Sequence, residues 1–426
     1  MMYPERGICV DKIMDWVFAI CDEYSWCLPA HQGTLGPNDN SRIDLFASET
    51  GFNLAIVYTL LGDRLDEALI CRFNTAIDGF LGGFKDDGVC LEGCGYWAYG
   101  VGFFVQYADM IRTFTGGRVD YFKIPKVKSI AAFPQKMFLS GNAAVSFADG
   151  NRMLNYTTGI MHRLKTEYPD DVLIYDPKYG AYGMGCGRAC VWIFGAAWTV
   201  EEFWQSPAEN TAFESYAGDS QWYVYRADGF GFAAKAGNNN ELHNHNDVGS
   251  FIFAKSGKQM LCDLGSGLYT RQYFSSERYT ILECASFGHS VPLIAGESQP
   301  VGADAKAVDV SWREGEFSFD MAGAYNVPEL KSLKRSFKCC AEGVTLTDEY
   351  IYEGEGELVE RFVSVVEPRL ASEGVLAVGE PEVRFDPAVC TLEIVKTAGT
   401  AGHNKDVFLI DFKLGEGVRR FACGIC

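Results

Sequence analysis

Up to about residue 205, apolar side chains recur at intervals of three and four, the period of helices that bury one face. Residues 10–27 and 43–61 carry this pattern, and 65–81 and 97–115 repeat it. Gly116-Gly117 supplies a stop, because glycine readily takes the left-handed backbone that ends a helix. Further helices are expected over 151–167, closed by Tyr168-Pro169, and over 190–204. Such segments read as antiparallel helix pairs, the building unit of an α/α toroid, although the helical part is short for a full one.

Beyond Ser206-Pro207-Ala208-Glu209 the period changes. Segments 221–226, 230–235, 250–254, 259–263 and 344–349 alternate or run as short β-rich stretches between turns such as Ser256-Gly257. The pattern continues through 362–366, 392–395 and 407–412. Many strands with no helices between them favour an antiparallel sandwich over a parallel sheet. The expected fold class is therefore α+β in two domains: a toroid-like helical domain over 1–208 and a β-sandwich over 209–426.

Composition supports a folded protein of this size. At 426 residues the chain is long for one core, and 48% apolar with 14% aromatic residues leaves ample material to bury. The net charge of −19 argues against nucleic acid or an anionic membrane as a general partner. No apolar run reaches the length of a membrane span, and Asp11, Lys12 and Asp15 interrupt any secretory core near the start, so a cytoplasmic setting is expected. The fifteen cysteines are odd in number and scattered, which fits a reducing compartment. Lys331, Lys334, Arg335 and Lys338 form the densest basic run and read as a solvated strand edge.

The chemistry concentrates in one region. Glu241-Leu-His-Asn-His-Asn-Asp247 holds His243 and His245, with Asp263 and His289 downstream. In a strand, residues two apart share a face, so the two rings of the first group are expected to project together. Imidazole and carboxylate are the donors a borderline divalent ion such as zinc takes.

Four separated motifs then make a resemblance. Leu91-Glu-Gly-Cys-Gly-Tyr-Trp-Ala-Tyr-Gly100, the stretch 236–251 around the histidines, Cys262-Asp-Leu-Gly-Ser-Gly-Leu-Tyr-Thr-Arg271, and Ser276-Glu-Arg-Tyr279 before His289 resemble the heparinase II/III-like polysaccharide lyases. That resemblance implies a toroid followed by a β-sandwich, and cleavage of uronate-containing glycans by β-elimination. It makes Tyr96 the candidate acid/base, with Tyr99 as runner-up, and His243 the histidine that assists proton transfer or carboxylate neutralisation. It assigns His245, Asp263 and His289 to a zinc ion of largely structural role.

The residue that binds the uronate carboxylate in that family has no clear match, and His31 or Arg42 is the candidate substitute. Arg271 and Arg278 are candidate contacts for sugar carboxylate or sulfate, or else structural ion-pair partners. Glu92 and Trp97, beside Tyr96, are taken as substrate-binding, though an aromatic there also serves as helix core. The implied partner is an anionic glycan or oligosaccharide. Two other readings stand: a carbohydrate-binding protein that keeps the architecture without turnover, and a metal-dependent hydrolase suggested by His243-x-His245-x-Asp247.

Overall fold

Strands near residue 230 are buried on both faces, and this organises the molecule. In the computed structural model, which describes residues 7–23, 26–27, 45–61, 77–181, 189–204 and 212–426, a five-stranded antiparallel sheet lies between the helices and the remaining strands. Its order is Lys258–Leu261, Phe251–Lys255, Phe230–Lys235, Trp222–Ala227 and Phe213–Ala217. Strand alternation sends Trp222, Val224, Ala233, Ile252 and Ala254 into the core shared with the helices. The intervening Tyr223, Phe232, Phe251 and Phe253 enter a second core with Phe317, Phe337, Phe362 and Phe412. Each fully buried large apolar side chain contributes about 1.5–3 kcal/mol, so both faces of this sheet hold the two halves together.

The second core is closed by two more antiparallel sheets. One has eight strands, in the order Val308–Arg313, Glu316–Asp320, Leu330–Cys340, Gly343–Tyr352, Arg420–Ile425, Glu382–Phe385, Val375–Val378 and Pro368–Ser372. The other has four, Leu293–Ile294, Leu358–Ser364, Val407–Leu414 and Cys390–Thr397. The expected mixture of a helical part and antiparallel strands is therefore present. The basic run is corrected in two respects. Its strand, Leu330–Cys340, is internal rather than an edge, and Arg335 points inward and is fully buried while Lys331, Lys334 and Lys338 face solvent.

On the helical side, Gly7–Asp22, Leu45–Leu61 and Cys94–Phe114 are helices where 10–27, 43–61 and 97–115 were expected, the first ending at Asp22 rather than running to 27. The stop at Gly116-Gly117 operates as expected: both have positive φ, and the Gly117 N–H reaches back to Arg112 O at 2.8 Å. The expected helix 65–81 lies mostly outside the described residues; 77–81 of it is seen as helix, which runs on through residue 82. The 151–167 helix starts later, at Thr158, because Tyr156–Thr157 pairs with Gly180–Ala181 instead. Pro125–Ala131, Phe133–Met137 and the hairpin Phe138–Ser140/Ala143–Ala144 are too short to show a period. Among the described helices, Leu45–Leu61 packs on Cys94–Phe114 and Thr158–Glu167 packs on Ala189–Trp198. None of them is long and apolar enough to cross a membrane. Among the described cysteines all are free thiols.

One buried histidine gives the helical part an acid-sensitive point. His162 is fully buried, and its Nδ1 accepts a hydrogen bond from the Val200 N–H at 2.9 Å. Burial pushes its pKa from 6.5 down to about 4. The unfolded ring therefore takes a proton that the folded ring refuses, and the stability this confers is full above pH 6.5 and lost as pH falls towards 4. The loss is on the order of 3 kcal/mol. Urea unfolding at pH 7 and pH 4.5 should show a smaller acid loss in His162→Gln, which keeps an acceptor without a titrating ring; equal losses in both proteins would contradict this.

Candidate active site and metal group

Three chain segments meet through their glycines beneath the site. Gly93, the N-cap of the helix Cys94–Phe114, has φ 103°, and a Cβ there would lie 2.9 Å from Gly150 Cα. Gly265 has φ 65°, and a Cβ there would lie 2.1 Å from Gly150 O. Only glycines permit this approach. It brings the Glu92–Tyr96 motif, the turn at 146–151 and the Asp263–Gly265 motif into one cluster.

Helix geometry then sorts the aromatic residues. Trp97 turns inward, is 2% exposed and donates its indole N–H to Ile130 O at 2.9 Å, so it is core rather than a sugar contact. Tyr99 projects towards the helix Leu45–Leu61, where its hydroxyl bonds Glu49. Tyr96 faces the sandwich. Its ring stacks with His243 at 6.1 Å between centroids and 22° between planes, and its hydroxyl lies 2.7 Å from that of Tyr269. Burial pushes the Tyr96 pKa up; the hydrogen bond to Tyr269 opposes this, while the charges of Glu92 and Asp149 add to it. The resting phenol therefore keeps its proton. The surroundings are acidic, not the cations that a phenolate would need.

His243 and His245 come together by a different route from the one expected. They lie in a loop between Asn238–Asn239 and Phe251–Lys255, not in a strand, and His243 sits in the left-handed region at φ 56°. Such a conformation costs roughly 1–2 kcal/mol for a residue with a Cβ, and strained backbone of this kind concentrates at functional sites. Both ring nitrogens of His243 face carboxylates: Nε2 is 3.0 Å from Glu92 Oε1, and Nδ1 is 3.0 Å from Asp149 Oδ2. Glu92, expected as a substrate contact, is placed against the histidine ring.

Asp149 and Tyr269 are the residues that sequence reasoning missed. Asp149 stands in no recognised motif; the Asp-Gly turn after a run of small residues was its only signal. Besides His243 it meets His245 Nε2 at 3.2 Å, Arg278 Nη2 at 3.0 Å and the Tyr273 hydroxyl. Burial pushes its carboxyl up, but hydrogen bonds from the two histidines and the Arg278 charge outweigh this and hold it well below the usual carboxylate range.

Arg278 also donates to the backbone carbonyls of Asn244 and His243 and lies over the Tyr273 ring. Of its two readings, the internal ion pair is the one its contacts fill. Arg271 is exposed, two residues from Tyr269. His31 and Arg42 lie outside the described residues.

His245, Asp263 and His289 form a buried group whose ligand atoms lie within 4.8 Å of one another. His289 Nδ1 is 3.0 Å from Asp263 Oδ2. His245 Nδ1 and His289 Nε2 are buried with no hydrogen-bond partner, an expensive state for ring nitrogens unless something accepts their lone pairs. The donor set suits a divalent cation. Asp247 is engaged elsewhere, in a buried ion pair with Lys235 at 2.6 Å, so the His-x-His-x-Asp string does not act as one ligand set.

No protein-family model matches the sequence, and no curated protein matches it by sequence. Solved structures do share its fold. A mutant of the heparan sulfate lyase HepC from Pedobacter heparinus aligns with a TM-score of 0.63 at 12% identity, over 93% of this chain and 61% of that one. A heparinase III gives 0.63 at 12%, over 89% and 59%. The chondroitin AC lyase of Streptomyces coelicolor A3 in complex with chondroitin sulphate gives 0.55 at 9%, over 97% and 64%. The chain spans about three fifths of the length of these lyases. At this identity the likeness is one of fold.

Proposed function

We propose that the chain is a polysaccharide lyase that cleaves uronate-containing glycans by β-elimination. The observation that carries the reading is the pairing of Tyr96 and His243, contributed by the two halves, at a half-exposed junction lined by Glu92 and Tyr269. Elimination removes the proton on C5, forms the C4–C5 double bond and expels O4, so it needs a base, an acid and relief of the carboxylate charge.

Tyr96, protonated at rest, donates to the departing O4. His243 takes the C5 proton on Nε2 once the sugar displaces Glu92, with Nδ1 held by Asp149. Arg271, open to solvent, meets the uronate carboxylate or a sulfate. A zinc ion on His245, Asp263 and His289 would tie together the loops that carry His243 and Tyr269, a structural role beside the reaction. The substrate class is an anionic oligosaccharide, as for the chondroitin AC lyase captured with chondroitin sulphate.

Mass spectrometry of products tests the reaction type. Elimination splits the glycan without adding water, whereas a hydrolase adds one water per cut. Products carrying that water would overturn the reading in favour of the metal-dependent hydrolase.

A further inference from the structure

Asp149 uses opposite nitrogens of two histidines. Its Oδ2 faces Nδ1 of His243, and its Oδ1 faces Nε2 of His245. The nitrogens left over are therefore Nε2 of His243, on the Glu92 side, and Nδ1 of His245, which has no hydrogen-bond partner and is the nitrogen that Asp149 leaves open to the His245–Asp263–His289 group. A neutral imidazole carries one N–H, and the acceptor that holds it decides which nitrogen offers a lone pair. A single carboxylate thus sets the ring state at the reaction site and at the metal group together.

We propose that Asp149 is a positioning residue that couples occupancy of the His245–Asp263–His289 group to the state of His243. With a cation held by the group, His245 would keep its proton on Nε2 and donate it to Asp149, and that hydrogen bond would strengthen. The same carboxylate then holds His243 Nδ1–H under a changed charge.

The turn is built to resist movement. Asp149 is 2% exposed, follows Ala148 in the left-handed region at φ 56°, and precedes Gly150, which is clamped between Gly93 and Gly265. Arg278 and the Tyr273 hydroxyl fix Oδ1 from the other side. A change at His245 is thereby passed to His243 and not absorbed by displacement of the carboxylate. The coupling gives the metal an influence on His243 without contact with substrate, and it draws its functional meaning from the lyase reading.

The test uses the full chain labelled with 15N-histidine, stripped of metal by chelation and titrated with zinc. His243 side-chain nitrogen signals are assigned by their loss in His243→Gln. In the wild type, stoichiometric zinc should shift the His243 signals while Nδ1 stays protonated. In Asp149→Asn, zinc affinity should fall by about 10–100-fold, and saturating zinc should leave the His243 signals unmoved.

Absence of zinc uptake by the wild type, absence of a His243 shift, or a wild-type response in Asp149→Asn would each overturn the coupling. If Asp149→Asn does not fold, the wild-type titration alone decides. None of these readouts uses turnover. Inactivity on every glycan would sink the lyase reading and leave the coupling standing, and an absent zinc response would do the reverse.

Discussion

Tyr96→Phe is expected to lower turnover on a uronate glycan by about 10²–10⁴-fold, the usual contribution of a positioned proton donor, with little change in stability. The substitution removes one oxygen. Ring stacking on His243 is retained, and the lost contact is a hydrogen bond to a half-exposed tyrosine, worth about 1 kcal/mol.

Without that oxygen, O4 must leave as an alkoxide or wait for water, and the acidic neighbours Glu92 and Asp149 make the site hostile to extra negative charge. The loss should fall on kcat and kcat/KM alike, because the proton moves only in the transition state. Tyr269→Phe should cost much less, since it removes only the hydroxyl partner of Tyr96. Steady-state kinetics with a thermal unfolding check would read both. A Tyr96→Phe protein with near wild-type turnover would remove this residue from the chemistry. A binding-only protein would bind glycan equally well with either residue and show no turnover to lose.

Arg335→Met is expected to destabilise the protein by about 3–5 kcal/mol, the range for stripping one partner from a buried charge cluster. Arg335 is fully buried. Its Nη2 lies 2.5 Å from Asp348 Oδ2 and 3.0 Å from Glu360 Oε2. Burial, with the Asp348 charge, pushes the Glu360 carboxyl well above its usual range despite the guanidinium, and Tyr350 bonds the same carboxyl.

The methionine would fill the space but leave Asp348 without its cation. It would also strip Gly249 O and Ser290 O of their donor, at 2.8 and 2.9 Å from Nη1. Those carbonyls follow the histidine loop and His289, so the site should loosen with the core. Arg335→Lys should fall between, because an ammonium keeps the charge and loses the planar fork. Urea unfolding measures all three; a Met variant within 1 kcal/mol of wild type, on the scale of an ordinary single substitution, would contradict this reading.

The fold was largely legible where period and punctuation are long enough to speak. The helix Cys94–Phe114 and its double-glycine stop, and strands such as Phe230–Lys235, follow directly from spacing. Residues 121–144 did not, because each piece there is shorter than two helical turns and takes its shape from packing on the sheet.

At the site, the grouping of His245, Asp263 and His289 was legible from their clustering in sequence and from the family resemblance. Its partner Asp149 was not, since it acts through a contact between residues about a hundred positions apart. The aromatic motif was half legible. Spacing cannot decide which of Tyr96, Trp97 and Tyr99 faces the sandwich, and the helix start at Gly93 decides it. The paired histidines were predicted to meet for the wrong reason: a left-handed turn and one carboxylate bring them together, not a strand.

The most direct test of the account is ultraviolet absorbance of the zinc-loaded protein incubated with a panel of uronate glycans and their oligosaccharides. Elimination creates a conjugated C4–C5 double bond, so absorbance should rise on at least one substrate and stay flat with Tyr96→Phe. No rise on any of them, in protein shown to be folded and metal-loaded, would contradict the proposed lyase activity.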